Sequence, residues 1–336
     1  MATRVAINGF GRIGRIFLRT AIDNPNLEFV GVNDITDAES LAHLLRHDSV
    51  HRNGSIDVKA ESDNILVNNK PLKVLSEKDP VKLPWRELGA EVVVESTGIF
   101  RKYEDASKHL DAGAKKVVIS APAKGEKPVP TFVMGINHKD YKPDEHHVVS
   151  NASCTTNALA PLVKVADEAF GIEKAFMSTI HAYTGDQNIV DGPHKDLRRA
   201  RAAAVSLVPT TTGATRAITK VMPHLEGKLS GMAFRIPTPD VSIVDLAILT
   251  KTITSADDVN VAFHRYSEGD LKGILAYSDT PLVSVDYTSN PASAVFDSLL
   301  TQVVDGNLIK IFGWYDNEWG YAARTRDLIL HIGEQL

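Results

Sequence analysis

Apolar and polar positions change rhythm about halfway along the chain. In the first half, short apolar runs alternate with stretches of helical spacing. Residues 4–8 read as a strand. From residue 11 to about 23 apolar side chains recur at helical intervals (Ile13, Ile16, Phe17, Ala21, Ile22), and Asn24-Pro25 breaks the run. Residues 27–33 form a second strand and 38–46 a second helix. Residues 91–95 carry three consecutive valines, which suits a strand buried on both faces. Residues 104–112 predict a helix stopped at Gly113, and 116–120 another strand ended by Ala121-Pro122. This alternation predicts βαβ units in a parallel, doubly wound sheet of the α/β class. Residues 50–85 are more polar, with turn pairs such as Asn53-Gly54, and read as short strands in an insertion.

The second half has a different rhythm. Residues 156–170 predict a helix, followed by long β-rich runs at 174–181, 229–236, 241–253 and 307–314. Long strands in succession predict an α+β unit with a mainly antiparallel sheet and helices on one face. Residues 184–209 have weak periodicity, several glycines and prolines, and the basic cluster Arg198, Arg199 and Arg201. A loop of that length inside a compact unit is generally functional. Residues 318–332 predict a final amphipathic helix, and the change in composition puts a boundary near Ser150.

Composition narrows the classes. The chain has 336 residues, 43% hydrophobic and 24% charged, which fits two globular domains and argues against disorder. A chain of this size buries about three quarters of its unfolded surface without staples. With 37 basic and 42 acidic residues the net charge is −5, so no nucleic acid or anionic membrane is expected as a partner. A single cysteine excludes an intrachain disulfide and a thiolate-rich zinc site, so no metal is expected and a reducing cytoplasm is the simplest location. The first residues lack an uninterrupted apolar stretch, and no run of 18 apolar residues occurs, so neither a secretory leader nor a membrane span is expected.

Gly9-Phe10-Gly11-Arg12-Ile13-Gly14 fits G-x-G-x-x-G between a predicted strand and helix. Gly9 allows the tight turn, Gly11 lets the backbone approach a pyrophosphate, and Gly14 permits close helix–sheet packing. The helix N-terminus then presents N–H groups to the phosphates. Asp34 follows the second strand, where a carboxylate accepts ribose hydroxyls and repels a 2′-phosphate. The cofactor this pattern predicts is NAD, in preference to NADP.

The one cysteine, Cys154, lies in Ser150-Asn151-Ala152-Ser153-Cys154-Thr155-Thr156-Asn157. A lone cysteine is ordinarily a small buried hydrophobe. Here its neighbours are hydroxyl and amide side chains, and a predicted helix follows. A helix N-terminus favours thiolate, the nucleophilic form. His181 ends an apolar strand and opens the long loop, which makes it the best placed of the histidines to serve as base. Anion-binding candidates are Thr210-Thr211-Thr212-Gly213 before a helix, and Arg235 within an apolar strand. Plain helix capping and an outward-facing arginine are the ordinary alternatives. Asn317, in Trp314-Tyr315-Asp316-Asn317-Glu318-Trp319, sits at a strand end where it can bond an amide-bearing ligand.

Five segments in order carry a resemblance over essentially the whole chain. They are residues 8–15, residues 150–157, His194-Lys195-Asp196-Leu197-Arg198-Arg199-Ala200-Arg201, residues 231–239, and residues 314–318. The chain resembles the phosphorylating glyceraldehyde-3-phosphate dehydrogenases of the bacterial glycolytic type. The resemblance implies a Rossmann-type nucleotide domain over 1–152, to which a C-terminal helix at 318–336 returns, and a catalytic domain over 153–317. It implies that Cys154 is the nucleophile and His181 its base, paired as thiolate and imidazolium. It implies that Gly9, Gly11, Arg12, Ile13, Gly14, Asp34, Lys78, Thr97, Ser120 and Asn317 contact NAD, with Asn317 orienting the nicotinamide carboxamide. It assigns Ser153, Thr155, Thr212 and Gly213 to inorganic phosphate, and Thr184, Asp186, Arg199 and Arg235 to the phosphate of glyceraldehyde 3-phosphate and its surroundings. The loop at 184–209 resembles one that packs between subunits of a homotetramer. Many relatives carry a second cysteine where this chain has Ala158, which argues that a second thiol is not needed.

Two rival readings remain at this point. An erythrose-4-phosphate dehydrogenase shares the scaffold and cysteine segment, but resembles this chain less around Tyr183-Thr184 and residues 210–213. A noncatalytic NAD-binding redox sensor would need no phosphate sites.

Overall fold

The structure, a computed structural model, describes every residue except Asn53 and Ser55. Asn53, half of the expected turn pair with Gly54, therefore lies outside the described residues. The chain divides into two compact units, one of residues 1–133, 138–152 and 322–336, the other of residues 134–137 and 153–321.

The first unit opens with β1 (Thr3–Asn8), α1 (Arg12–Ala21), β2 (Leu27–Asn33) and α2 (Ala38–Arg46). Next come the short strands β3 (Val58–Glu61), β4 (Asn64–Val67) and β5 (Lys70–Leu75), in the segment read as an insertion. β6 (Val92–Glu95), α3 (Tyr103–Ala106), α4 (Lys108–Asp111), β7 (Lys116–Ile119) and β8 (Val148–Ser150) follow. The sheet order is β3-β4-β5-β2-β1-β6-β7-β8. From β5 to β8 all pairings are parallel, while β3 and β4 add an antiparallel edge. β1, β6 and β7 lie inside the sheet and have apolar residues buried on both faces, as their unbroken valine and isoleucine runs require. The chain leaves β1 for β2 on one side and later resumes with β6 on the other. The carboxyl ends of β1 and β6 thus flank a switch point, where open α/β sheets bind ligands.

The helix expected at 104–112 is interrupted. Ser107 separates α3 from α4, and its hydroxyl donates to the Glu104 carbonyl (3.3 Å), a local bond that competes with helix geometry.

The second unit begins with α5 (Cys154–Phe170), two residues earlier than the apolar spacing indicates. Ser153 is the reason: its hydroxyl accepts from the Thr156 N–H (3.1 Å) and caps the helix. There follow β9 (Ile172–Ala182), β10 (Val208–Thr210), α6 (Ala214–Val221), β11 (Leu229–Ile236), β12 (Ser242–Thr250) and α7 (Ala256–Glu268). The chain continues through β13 (Leu275–Ser278), β14 (Ala294–Asp297), β15 (Gln302–Val304) and β16 (Leu308–Tyr315); α8 (Trp319–Gly333) follows, and from Ala322 onward it belongs to the first unit. The sheet runs β10-β11-β9-β12-β16-β14-β13, with β15 beside β16. It is mainly antiparallel; among the described residues only β9–β11 and β13–β14 pair in parallel. Along β12 every second residue from Ser242 to Thr250 is buried, the alternation of a strand with one covered face. α5 is almost wholly buried, and Phe263 of α7 stacks on Phe296 of β14 with ring centroids 4.0 Å apart. The strand expected at 241–253 starts at Ser242, because Val241 sits in the left-handed region at φ 66°. A β-branched residue there is strained, at a cost of about 1–3 kcal/mol.

One buried carboxylate fixes the strand ends of the first unit. Glu95, 1% exposed at the end of β6, accepts from Asn8 Nδ2 (2.5 Å), from the Thr97 N–H (2.9 Å) and from the Thr97 hydroxyl. Its Oε2 also lies 3.1 Å from His109 Nε2. Trp85 Nε1 donates to His109 Nδ1 (2.9 Å), so the ring proton sits on Nε2 and points at Glu95. Asn33 Nδ2 in turn donates to Asn8 Oδ1 (2.7 Å), which ties β2 to β1. Replacing Glu95 by alanine should lower the unfolding free energy by about 3 kcal/mol or more, because it leaves several buried donors unpaired. A urea melt checks this, and a loss below about 1 kcal/mol would show that the network adds little.

Candidate active site

The first unit has a cleft of about 550 Å³ at its switch point, lined by Gly9, Gly11, Asp34, Lys78, Thr97 and neighbours that include Ile35, Ile99 and Phe100. Gly9 has φ 92°, and a Cβ there would fall 2.5 Å from the Thr97 backbone nitrogen, so only glycine makes this turn. A Cβ on Gly11 would meet no protein atom within 4 Å. It would project into open space, where a pyrophosphate would need room. Gly14 packs against the turn, its ideal Cβ position lying 2.3 Å from the Gly9 carbonyl oxygen. Gly11 is the N-cap of α1 and brings no side chain to the helix end. The Asp34 carboxylate accepts from the N–H groups of Phe10 (2.8 Å) and Thr36 (3.1 Å), which locks the acid to the glycine turn. These features fit a dinucleotide.

Lys78 is exposed at the cleft rim, and Thr97 is held by Glu95. Arg12, Ile13 and Ser120 are not among the lining residues; Arg12 pairs with Asp48 (3.3 Å), and Ser120 follows β7, its N–H donating to the Glu95 carbonyl (2.9 Å).

In the second unit Cys154 is the first residue of α5, after the Ser153 cap and after Ala152 at φ 58°. Its Sγ lies 3.4 Å from His181 Nε2. His181, 2% exposed, is the penultimate residue of β9. Its Nδ1 lies 2.7 Å from the Ala182 carbonyl oxygen and 2.7 Å from Arg235 Nη1; of the two tautomers, the one that donates to the carbonyl leaves Nε2 as the acceptor facing the thiol, the form a base needs. Tyr315 packs edge-on against the ring (centroids 5.9 Å apart), and its hydroxyl bridges Thr155 (3.0 Å) and Thr179 (2.8 Å).

The parallel register of β9 and β11 sets Arg235 level with His181. Arg235 turns inward, not to water. Its Nη1 is 2.7 Å from His181 Nδ1 and donates to the Ala182 carbonyl (3.0 Å). Its Nε is buried and, among the described residues, has no hydrogen-bond partner, which leaves a donor for an anion.

Electrostatics at this pair run in two directions. Burial pushes the Cys154 thiol up and the His181 imidazolium down to about 3. The Arg235 charge pulls the thiol back toward thiolate and lowers the imidazole further. The start of α5 also favours thiolate. Burial thus opposes charge on both partners, Arg235 and the helix start favour it on sulfur, and the 3.4 Å contact offers the proton a direct path between them.

Of the anion candidates, Arg199 forms an ion pair with Asp186, and its Nε donates to Thr210 Oγ1 (3.1 Å). Thr212 Oγ1 accepts from the Ala214 N–H (3.2 Å), so it already serves the start of α6; Gly213 is the N-cap of that helix and adds no side chain. The Ser153 hydroxyl is used as a cap and that of Thr155 by Tyr315. Thr184 lies at the entrance of the long loop, its N–H donating to the Gln187 side chain (3.3 Å). Asn317, nearly buried just beyond β16, accepts a hydrogen bond on Oδ1 from Ser242 (2.7 Å).

Sequence reading misses Tyr315, Ser242 and Glu95. Tyr315 lies inside a quoted motif, but nothing local marks its hydroxyl. Ser242 carries no sequence signal.

Comparisons with known proteins identify the family. Residues 3–103 match the family described as glyceraldehyde 3-phosphate dehydrogenase, NAD binding domain, and residues 153–317 match its C-terminal domain. The chain is 55% identical to a glyceraldehyde-3-phosphate dehydrogenase of Geobacillus stearothermophilus over 335 residues, covering 100% of this chain and 99% of the relative. It is 53% identical to glyceraldehyde-3-phosphate dehydrogenase 1 of Bacillus subtilis (100% and 99% covered) and 53% identical to a Streptomyces coelicolor relative of the same name (100% of both).

Replacing His181 by alanine should slow alkylation of Cys154 by iodoacetamide at neutral pH by about tenfold or more, since the thiol loses its proton acceptor. An unchanged rate would show that the imidazole does not activate the sulfur.

Proposed function

The chain belongs to the glyceraldehyde-3-phosphate dehydrogenase family, and on that premise we propose that Cys154 and His181 carry its chemistry, with inorganic phosphate as the acyl acceptor. The chain is an NAD-dependent oxidoreductase acting on D-glyceraldehyde 3-phosphate, a step of glycolysis. Neither erythrose-4-phosphate oxidation nor a purely sensory role is favoured. The observation that supports the catalytic assignment is the 3.4 Å contact between Sγ and Nε2 at the start of α5.

The residues supply the following steps. Cys154 Sγ attacks the aldehyde carbon, and its proton passes through His181 Nε2 to the carbonyl oxygen, giving a hemithioacetal. NAD⁺, when bound, supplies the hydride acceptor. His181 Nε2 takes the hydroxyl proton as hydride leaves the carbon, and a thioester remains on Cys154. Hydrogen phosphate then attacks the thioester carbon and gives up its proton to solvent. The C–S bond breaks, the sulfur recovers a proton from the imidazolium, and 1,3-bisphosphoglycerate leaves. Arg235, with its unpaired Nε, is our strongest candidate for an anion contact, and Arg199 with Thr210 stands beside the same strand edge. Asn317 orients the nicotinamide carboxamide in this reading, and Asp34 holds the adenosine ribose.

A cytoplasmic homotetramer belongs to the same reading. No helix among the described residues is long and apolar enough to cross a membrane. Phe176 on β9 is 52% exposed, and the long loop exposes Ile189, Val190, Leu197 and Val205, apolar surface that a neighbouring subunit would cover.

Replacing Cys154 by serine should abolish NADH formation with glyceraldehyde 3-phosphate and phosphate, because an alkoxide is far harder to generate and its ester less reactive. Near-wild-type turnover in that variant, or wild-type turnover that ignores the omission of phosphate, would overturn the scheme. Replacing Asp34 by alanine should raise KM for NAD⁺ and narrow the preference over NADP⁺, since the carboxylate both accepts the ribose hydroxyls and repels a 2′-phosphate. Steady-state kinetics with both cofactors read this directly, and an unaltered ratio would remove Asp34 from the ribose site.

A further inference from the structure

Ser242 joins the ends of three strands. It begins β12, opposite Tyr315 of β16 in the antiparallel register. Its hydroxyl accepts from the Ala182 N–H at the end of β9 (3.0 Å) and donates to Asn317 Oδ1 just beyond β16 (2.7 Å). The side chain is 1% exposed, and Val241 before it is held in a conformation that β-branched residues rarely adopt. Strain of this kind persists where the surroundings over-determine it, and it clusters at functional sites.

A hydroxyl has one proton to give. With the Ala182 N–H arriving as a donor, that proton is committed to Asn317 Oδ1. Turning the Asn317 amide over would put an NH₂ on the second lone pair of the serine oxygen and take away the acceptor of its buried proton, at the cost of an unmade hydrogen bond. The bond therefore decides which end of the amide is left to face a ligand: the NH₂ end, a donor matched to a carbonyl oxygen.

We propose that Ser242 is a positioning residue that sets the orientation of the Asn317 amide, so that its NH₂ is presented to the carboxamide oxygen of the nicotinamide. This rests on the reading of Asn317 given above and adds the group that fixes its polarity. Ser242 acts on the cofactor only through Asn317. The carbonyl of Ala182, not its N–H, holds His181, so removing the serine hydroxyl leaves the base in place.

The test is a double-mutant cycle read by KM for NAD⁺, with Ser242→Ala, Asn317→Ala, the double variant and Ser242→Thr. Ser242→Ala should raise KM for NAD⁺ severalfold, up to about tenfold for one neutral hydrogen bond. Ser242→Thr, which keeps the hydroxyl, should restore it. KM for the aldehyde and the rate of Cys154 alkylation should not move. In the Asn317→Ala background the serine substitution should have no further effect, since it has no amide left to orient. Effects that multiply in the double variant would overturn the proposal, as would a threonine variant as impaired as the alanine one. If Asn317→Ala alone leaves NAD⁺ kinetics unchanged, the reading of Asn317 falls, and the inference with it. Should Ser242→Ala fail to fold, Ser242→Cys keeps the volume, weakens the donor and carries the same cycle.

Discussion

The catalytic unit depends on one contact, the 3.4 Å approach of the Cys154 sulfur to His181 Nε2. Each partner is held from a different direction. Cys154 is placed by the start of α5, which the Ser153 hydroxyl caps. His181 is placed by the end of β9, the Ala182 carbonyl at Nδ1, and the edge of the Tyr315 ring. None of these supports touches the sulfur, yet each fixes where the nitrogen lone pair points. A shift of either element by an ångström would turn a proton-transfer contact into ordinary packing.

The surroundings of that contact balance two opposed effects. Burial opposes charge on both groups, while Arg235 and the helix start favour negative charge on sulfur. Arg235 is the pivot, since it touches the far side of the imidazole and also keeps one buried donor without a partner. The nucleotide unit also buries a carboxyl group. Glu95 stays buried because donors from Asn8, His109 and Thr97 surround it, and it thereby stiffens the strand ends beside the cleft.

What could be read from the sequence was what is local in it. The glycine turn, Asp34 after β2, and Cys154 at a helix start each declare themselves within a few residues, because turn geometry and helix capping are short-range. The alternation of strands and helices was equally legible, and so was the long-stranded second half. The interruption at Ser107 was not, because it rests on a single side-chain bond inside a helical pattern. Arg235 was ambiguous because its direction depends on the register of β9 and β11, which no local pattern encodes. Tyr315, Ser242 and Glu95 went unseen for the same reason. Most of their partners lie far away in the chain (Asn8 for Glu95, Thr155 and Thr179 for Tyr315, Ala182 and Asn317 for Ser242), and a serine or tyrosine looks the same whether its hydroxyl meets water or a buried amide.

Val241 carries a consequence of another kind. Its left-handed backbone holds conformational energy that a glycine at the same position would release. That glycine would also empty a buried position packed with Tyr287, Ala292 and Val295, so the released strain would be offset by a cavity, and the backbone that aims Ser242 would loosen. Selection for heat resistance and selection for turnover would therefore both favour keeping a valine here, strain included.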